Sequence, residues 1–390
     1  MVLFLVFTVT LLTAVLLSGL AERTVLSTAV LFLVVGFMVG GVANSLTIRP
    51  EDSLTTHLAE LALFAVLFTD GMRLRVRDLT YAWRLPGRAL LLGLPLTLLF
   101  TALLAHLVAG LPWAASFLVG AVLSPTDPVF ASALVGREEV PLRLRRLLNV
   151  ESGLNDGLAL PIVLVLLAAS PPRTDLETGA LLGELALGIA LGVIVPFFAL
   201  RLERTRLFEL SAQYEPLYAL SVGLLVLALG YATHANLFLA AFAAGITVVS
   251  VSPQFKEAFH RFGELLTELL KLAAILVFGA LISPTFFMEI GLGGYVFALL
   301  ALVVVRPVAL AVSFLGARIN LPEFLAAAWF GAKGFASVVY GLLVLESGVN
   351  RSGEMFHLIA LVVAASILLH SSTDVVVARQ FRRADLEAPG

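Results

Sequence analysis

The chain has no cysteine, and few of its 390 residues are charged. The absence of cysteine excludes disulfide bonds and metal sites built from thiolates. Charged residues make up 13% of the chain, about half of the share that is usual in soluble domains. The formal net charge is −2, which gives no electrostatic reason to expect a nucleic-acid partner. The sequence also lacks a phosphate-binding Walker motif, so nothing in it indicates nucleotide hydrolysis.

Apolar residues dominate instead, at 60% of the chain. They gather into runs long enough to cross a bilayer as helices, which takes about 20 residues each. We therefore predict an all-α polytopic membrane protein with about 13 transmembrane helices, embedded in the lipid of the cell (inner or plasma) membrane. The predicted spans are 2–20, 25–44, 54–72, 89–110, 113–134, 147–169, 179–200, 213–233, 236–251, 263–282, 292–316, 323–345 and 355–377.

The basic residues of the loops predict how these spans are oriented. Most of them fall in one alternate set of loops, and only Arg49, Arg173 and Arg351 fall in the other. Since loops rich in Lys and Arg stay on the cytoplasmic side, we expect the N-terminus outside and the C-terminus in the cytoplasm. A cleaved signal peptide is an alternative interpretation of the first span, but no basic segment precedes its apolar run.

Two neighbouring spans carry acids, which are costly inside a bilayer and therefore point to function. The fifth span contains the sequence SPTDP, in which Thr126 and Asp127 lie between Pro125 and Pro128. Prolines this close together interrupt a helix, and an interruption at membrane depth is tolerated only beside a cavity or inside the protein. The polar residues of the sixth span are Glu151, Ser152, Asn155 and Asp156.

A second interruption is predicted in the twelfth span, where Gly331-Ala332-Lys333-Gly334 breaks the apolar run. The fifth and twelfth spans lie on opposite sides of the chain's midpoint and, by the charge rule, cross the membrane in opposite directions. Transporters built as inverted repeats place their ion sites between two such broken helices. We therefore predict an inverted repeat with two broken helices, spans 5 and 12.

The polar residues of the fifth and sixth spans predict the kind of ligand. Ser152, Asn155 and Asp156 share one helix face by their spacing, and Asp127 and Asp156 lie at similar depths below the cytoplasmic surface. Carboxylate, hydroxyl and amide oxygens suit a hard cation better than a transition metal. Burial raises the pKa of a carboxyl group, so one carboxylate can hold either a proton or a cation near neutral pH. Mutually exclusive binding of this kind is the physical basis of proton/cation exchange.

The sequences SPTDPV and VESGLNDG, at this spacing, resemble the monovalent cation/proton antiporters of the NhaP and sodium/proton exchanger branch. The resemblance covers essentially the whole chain and implies a sodium (or lithium)/proton antiporter that works by alternating access. It implies a homodimer and no cofactor, only the transported Na⁺ (or Li⁺ or K⁺) and H⁺. The domains it implies are scaffold and dimerisation helices in 1–72, core transport helices in 89–169, a linker and further scaffold helices in 179–282, further core helices in 292–377, and a short cytoplasmic tail in 378–390.

The resemblance also implies roles for single residues. The residues implied for the shared cation and proton site are Thr126, Asp127, Ser152, Asn155, Asp156 and, on the third span, Asp70. Of these, Asp127 and Asp156 would be the carboxylates that bind the metal ion. Glu151 and Arg306 would form a structural ion pair, and Lys333 is a core-bracing charge where the family usually has an Arg.

Three alternatives stay open at this point. A potassium/proton antiporter of the same fold would use the same residues, because the sequence does not show the size of the site. An intramembrane aspartyl protease also needs two membrane aspartates, but the Tyr-Asp and Gly-x-Gly-Asp sequences of that family do not surround Asp127 or Asp156. A passive ion channel would need a continuous pore, which broken helices argue against.

Two further expectations concern charge. Asn155 stands where similar electrogenic antiporters have a second aspartate, and an amide cannot titrate. We therefore expect electroneutral exchange of one proton for one cation. Lys271 lies in the apolar tenth span with no obvious acid nearby, so we expect its ammonium to reach the cytoplasmic surface.

Overall fold

The computed structural model describes residues 2–21, 27–42, 53–73, 85–127, 140–170, 175–203, 205 and 210–387, and every regular element in these ranges is a helix. This agrees with the all-α prediction. The main helices, numbered in chain order, are α1 Val2–Leu16, α2 Thr28–Val42, α3 Ser53–Arg73, α4 Pro86–Leu107, α5 Trp113–Val122, α6 Leu142–Ala168, α7 Asp175–Glu203, α8 Glu215–Thr233, α9 Leu237–Val251, α10 Gln254–Leu281, α11 Leu292–Ser313, α12 Leu321–Trp329, α13 Phe335–Glu346 and α14 Ser352–Glu387. A short helix, Pro284–Glu289, connects α10 to α11.

Six of the described helices are long and apolar enough to cross a membrane. They are α4, α6, α8 and α11 over their full lengths, α7 from Gly179 onwards and α14 as far as His370. Five further apolar helices of the described residues, α1, α2, α5, α9 and α13, are only 10–17 residues long. The predicted count of about 13 spans, the sides of the two termini and the inverted repeat therefore stay predictions.

Two of the long helices contain a wider π-helical turn, Ala89–Gly93 in α4 and Ala301–Val305 in α11. Each turn is followed almost directly by a proline, Pro95 or Pro307. Proline has no N–H to donate and its ring crowds the preceding helical turn, and a locally wider turn accommodates both effects. α4 and α11 pack against each other where these turns lie.

Five helices come together around one buried region. α3 and α13 each contact α6 and α10 there, α5 packs against α6 and α13, and α9 packs against α3, α6 and α10. The largest buried side chains of this packing include Tyr340, Leu63, Leu67 and Phe278, which are almost fully inaccessible to solvent. This arrangement positions the polar residues of α5, α6 and α13 beside those of α3 and α10. The predicted division into scaffold and core helices stays a prediction.

Several helices extend beyond the predicted spans. α6 begins at Leu142 where 147 was predicted, α10 begins at Gln254 where 263 was predicted, and α14 continues to Glu387 through most of the predicted tail. The added turns contain charged residues, which hydropathy excludes from a span. A helix satisfies its own backbone hydrogen bonds whether or not lipid surrounds it, so hydropathy marks the apolar part of a helix rather than its ends.

The twelfth span is interrupted, as its glycines predict. The chain leaves the helical conformation after α12 ends at Trp329 and regains it where α13 begins at Phe335. In the fifth span α5 ends at Val122, and the chain is non-helical as far as Asp127. Residues 128–139, with Pro128 and the second half of the predicted fifth span, lie outside the described residues.

The glycines of the twelfth-span interruption permit close approach. A Cβ atom at Gly331 would overlap the side chain of Arg306, and one at Gly334 would overlap the side chain of Asp127. Because Gly334 has an extended backbone that any residue can adopt, space and not backbone conformation requires glycine there.

We therefore expect Gly334→Ala to lower the melting temperature of the purified protein, because overpacking a dense interior costs about 1–3 kcal/mol. Gly183→Ala in α7 is the matched control, since a Cβ at Gly183 meets no atom within 4 Å. Alanine favours a helix over glycine by about 0.5–1 kcal/mol, so the control should melt at or above the wild-type temperature. Equal melting temperatures for the two variants would contradict the close approach of Gly334 to Asp127.

Candidate cation site

Two non-helical segments meet inside the protein, and we call this meeting point the crossing. It consists of Ser124–Asp127, which follows α5, and Phe330–Gly334, which joins α12 to α13. The backbone N–H of Asp127 donates to the carbonyl oxygen of Ala332 over 2.9 Å. Thr126, Asp127 and Lys333 are all buried. Polar side chains and exposed backbone groups are therefore concentrated at one point, away from solvent.

Two helix ends at the crossing, those of α5 and α13, are each met by a side chain of opposite charge. The Lys333 ammonium lies 3.4 Å from the carbonyl oxygens of Ser124 and Pro125, which follow α5. One carboxylate oxygen of Asp127, Oδ2, accepts from the backbone N–H of Phe335, the first residue of α13, over 3.2 Å. The carbonyl end of a helix carries partial negative charge and the N–H end partial positive charge. Asp127 and Lys333 therefore stabilise the two helix ends reciprocally.

Asn155 connects α6 to the crossing. Its Nδ2 donates to the Thr126 hydroxyl over 2.6 Å and to the Thr126 carbonyl oxygen over 3.1 Å. Because a carbonyl oxygen only accepts, these bonds fix which end of the amide is the nitrogen. The other end, Oδ1, is buried and has no hydrogen-bond partner among the described residues. A buried oxygen without a donor is costly, so this atom is suited to a ligand that supplies positive charge.

Asp156, the next residue of α6, is buried at the same place. Its backbone carbonyl oxygen accepts from the Tyr340 hydroxyl over 2.9 Å, which fastens α6 to α13. The charges of Asp70, Asp127, Lys271 and Lys333 all act on its carboxylate. Three acids and two lysines from five parts of the chain thus share one buried region, and most of the predicted site residues are brought together.

Asp70 of α3 is buried near the crossing, and its carboxylate already has a partner. Arg73 donates to it over 3.1 Å and also binds Glu264 of α10 over 2.9 Å. Next to this network the hydroxyls of Thr69 and Thr267 lie 2.9 Å apart and connect the same two helices. The charge of Asp70 acts on the Asp156 carboxylate, but the ion pair of the Asp70 carboxylate itself is with Arg73.

The predicted pair of Glu151 and Arg306 is in contact. Both ends of the Arg306 guanidinium donate to the Glu151 carboxylate, over 2.7 and 3.0 Å, and Nε donates to the carbonyl oxygen of Ala327 over 3.0 Å. Both side chains are buried. The pair connects α6, α11 and α12 next to the crossing. The side chain of Ser152 lies outside the described residues, so its part in the site stays a prediction.

The prediction for Lys271 was wrong. Its ammonium turns inward and lies 3.7 Å from Oδ1 of Asp127, and only 12% of the side chain is exposed. Its acid is on a distant part of the chain, which a search along the tenth span does not find. A signal was present in α10 itself, where Glu264, Glu268 and Lys271 recur at helical spacing on one face.

Three hydroxyl side chains of the site were also missed. Tyr340 and Ser337 of α13 donate to α6 and to the last turn of α5, the latter through the Val122 carbonyl oxygen over 2.7 Å. Ser366 of α14 accepts from the backbone N–H of Lys333 over 2.6 Å. Hydroxyl groups are common in apolar helices, where they often bond to their own backbone. Their sequence positions alone do not separate these three from the others.

The Glu151–Arg306 pair predicts a large effect on stability. We expect Arg306→Ala to lower the melting temperature more than Asp156→Asn does, because removing one partner of a buried pair costs about 3–5 kcal/mol. Arg351→Ala is the matched control, since the Arg351–Glu354 pair is 42% exposed on both sides. Exposed pairs contribute about 0–1 kcal/mol. Arg306→Ala that melts like Arg351→Ala would contradict the structural role of the pair.

Comparison with known proteins adds a family to this geometry. The sequence profile of a family described as "Sodium/hydrogen exchanger, transmembrane" matches residues 8–379. Among solved structures, the sodium proton antiporter MjNhaP1 from Methanocaldococcus jannaschii superposes with a TM-score of 0.79 at 17% sequence identity, covering 97% of both chains. At this identity the likeness demonstrates a shared fold, and nothing about the ion.

Curated relatives carry two different descriptions. The K(+)/H(+) antiporter NhaP2 of Shewanella baltica is 24% identical over 375 residues, which cover 94% of this chain and 64% of the relative. The K(+)/H(+) antiporter NhaP of Alkalimonas amylolytica is 25% identical over 92% of this chain and 62% of its own length. The Na(+)/H(+) antiporter 2 of Zygosaccharomyces rouxii is 36% identical over 124 residues, 31% of this chain and 15% of the relative. The chain thus spans less than two thirds of the length of the curated relatives it matches.

Proposed function

Because the chain belongs to the sodium/hydrogen exchanger family, we propose that it exchanges a monovalent cation for protons across a membrane. The family match confirms the resemblance carried by SPTDPV and VESGLNDG, and it makes the chain a multi-pass membrane protein. The family consists of transporters and not of enzymes, which removes the intramembrane protease from the alternatives.

The single observation that carries this proposal is the buried Oδ1 of Asn155, for which the described part of the chain supplies no hydrogen-bond donor. It lies in a buried region next to the residue that bears the Asp156 carboxylate, and the Thr126 hydroxyl is held at the same place by Nδ2. Amide, carboxylate and hydroxyl oxygens form a ligand set for a hard cation. The cation is the substrate here, and the same residues would bind it on its way across the membrane.

Coupling to protons follows from competition at one carboxylate. A proton on Asp156 removes the negative charge that attracts the cation, and a bound cation opposes protonation. The site therefore carries either ion but not both at once. Alternating access would then move the loaded site between the two faces of the membrane. In this proposal α4–α6 and α11–α14 form the mobile core. The other helices form a scaffold that joins two copies of the chain in a homodimer. The crossing suits this role because broken helices place ion sites within the membrane.

We further propose Na⁺ or Li⁺ as the cation, with K⁺ as the alternative. The structural neighbour and the yeast relative are described as sodium antiporters, whereas the longer curated matches are described as potassium antiporters. The question is decided by proton flux driven by an imposed pH gradient in liposomes, measured separately with Na⁺, Li⁺ and K⁺. Flux with K⁺ that equals or exceeds the flux with Na⁺ would favour the alternative.

Asp156→Asn tests the carrier residue. The substitution keeps the size of the side chain but removes both the titration and the negative charge, so we expect a folded protein without cation-dependent proton flux in liposomes. Glu289→Gln is the matched control, because the Glu289 carboxylate is 60% exposed and lies 3.5 Å from the His357 ring instead of at the crossing. Robust sodium- or potassium-dependent proton flux in Asp156→Asn would overturn the assignment of Asp156.

The stoichiometry is proposed to be one proton for one cation. Asn155 cannot titrate, and Arg306 stays protonated at any relevant pH, so neither carries a proton. Two acids then remain at the site, Asp127 of the crossing and Asp156 of α6. Asp127 also accepts from the first N–H of α13 and faces Lys271, so its carboxylate is already engaged in two contacts. One carboxylate is left to exchange a proton.

An electroneutral cycle gives a direct test. With pH and sodium gradients held fixed, the rate and end point of exchange in liposomes should not change when the membrane potential is clamped at different values with potassium and valinomycin. An electrogenic carrier would respond, because a moving charge exchanges about 2.3 kcal/mol with each 100 mV of potential. A passive channel is distinguished in the same assay, since its proton flux would not require a cation on the opposite side.

A further inference from the structure

The chain has three lysines, Lys256, Lys271 and Lys333, and Lys271 is the one whose ammonium faces a carboxylate of the crossing. Lys256 donates to the backbone carbonyl oxygen of Arg73 over 2.8 Å, and Lys333 faces the carbonyl oxygens that follow α5. Lys271 therefore has a place in the site that the stabilisation of helix ends does not explain.

The two carboxylate oxygens of Asp127 have different partners. Oδ2 accepts from the backbone N–H of Phe335 over 3.2 Å, and Oδ1 lies 3.7 Å from the Lys271 ammonium. The first contact belongs to the crossing itself, whereas the second reaches it from α10. An N···O distance of 3.7 Å is an ion pair without a well-formed hydrogen bond. Lys271 thus neutralises Oδ1 without being bound to it tightly.

The surroundings of Lys271 are acidic. Its ammonium is acted on by the charges of four acids: Asp70 of α3, Asp127 of the crossing, Asp156 of α6 and Glu268 of α10 itself. A transported monovalent cation would bring the same single positive charge to the same acids. Two positive charges at one carboxylate repel each other, so the ammonium and the cation exclude each other at Oδ1 of Asp127.

A second acid, Glu268, lies near the Lys271 ammonium and offers it an alternative partner. The lysine side chain is a flexible four-carbon stem with a compact charge. Glu268 lies one helical turn earlier on the same face of α10, a spacing at which opposite charges interact. An ammonium displaced from Asp127 can therefore turn towards Glu268 and stay compensated.

We propose that Lys271 is a tethered competitor of the transported cation: its ammonium occupies the cation position at Oδ1 of Asp127 in the unloaded protein, and the cation must displace it. Lys271 thereby sets the apparent cation affinity of the site. This inference rests on the proposed function and specifies how the same site is regulated. A brace that only holds α10 against the crossing would affect stability but not cation affinity.

The test measures cation binding without relying on transport. The full chain is purified in detergent, and its melting temperature is recorded against NaCl, LiCl and KCl, with choline chloride keeping the ionic strength constant. Apparent affinity is the intrinsic affinity multiplied by the fraction of molecules whose site is free. If the ammonium leaves Asp127 free about one tenth of the time, Lys271→Gln lowers the cation concentration at half-maximal stabilisation about tenfold. Lys256→Gln is the matched control and should keep the wild-type value.

A charge-retaining variant covers the case in which Lys271→Gln fails to fold. Lys271→Arg keeps the positive charge and offers two parallel donors to a carboxylate, so it should hold Asp127 more tightly and raise the half-maximal cation concentration. An unchanged or lower value in Lys271→Arg, or an unchanged value in folded Lys271→Gln, would overturn the proposal.

Proton flux of the wild type in liposomes, measured alongside, separates the two levels of inference. Suppose that the wild type exchanges ions and is stabilised by a cation, but the Lys271 variants keep the wild-type cation concentration at half-maximal stabilisation. That result would exclude the competitor role alone. A wild type that neither exchanges ions nor is stabilised by any of the three cations would remove the proposed function as well, and with it the competitor role.

Discussion

The ends of α5 and α13 meet at the crossing, whose residues Thr126, Asp127 and Lys333 are buried, so solvent does little to stabilise the partial charges of these helix ends. An unsatisfied end of this kind costs several kcal/mol in an apolar medium. The chain meets the cost with one acid and one base, Asp127 at the first N–H of α13 and Lys333 at the carbonyl oxygens after α5. The rest of the site depends on this exchange of charges. Asp127 already stabilises a helix end through its carboxylate. Asp156 of α6 is therefore the acid of the site that is less involved in holding the structure together.

The crossing is supported by a shell of contacts from four helices. Asn155 fixes Thr126, Tyr340 fixes α6 to α13, and Arg306 joins Glu151 to the carbonyl oxygen of Ala327. The π-helical turn Ala301–Val305 ends directly before Arg306, where the helix changes its winding at a buried guanidinium. α4 has a comparable π-helical turn before Pro95, so the two packed helices share the same local irregularity of the backbone. This likeness is what an inverted repeat relating spans 4 and 11 would produce.

Much of this could be predicted from short sequence patterns. Acids beside prolines and glycines in apolar runs indicated the crossing, and the helical spacing of the sixth span indicated that Asn155 and Asp156 act together. Lys271 was misassigned because hydropathy evaluates a lone lysine against its own span, whereas its partner Asp127 is contributed by another helix. Sequence could not reveal either that Oδ1 of Asn155 lacks a donor among the described residues, since this depends on how one amide group is turned. The predicted ends of α6, α10 and α14 differed from the observed ends for a related reason: an α-helix continues past the apolar stretch that reveals it.

The contact of Gly334 with Asp127 has a consequence for ion selectivity in the proposed exchange cycle. The Asp127 side chain lies against a glycine that leaves no spare space, and one of its oxygens is fixed by the N–H of Phe335. This carboxylate cannot follow ions of different radius. In the proposed cation site, adjustment between a smaller and a larger alkali ion therefore has to come from ligands other than Asp127.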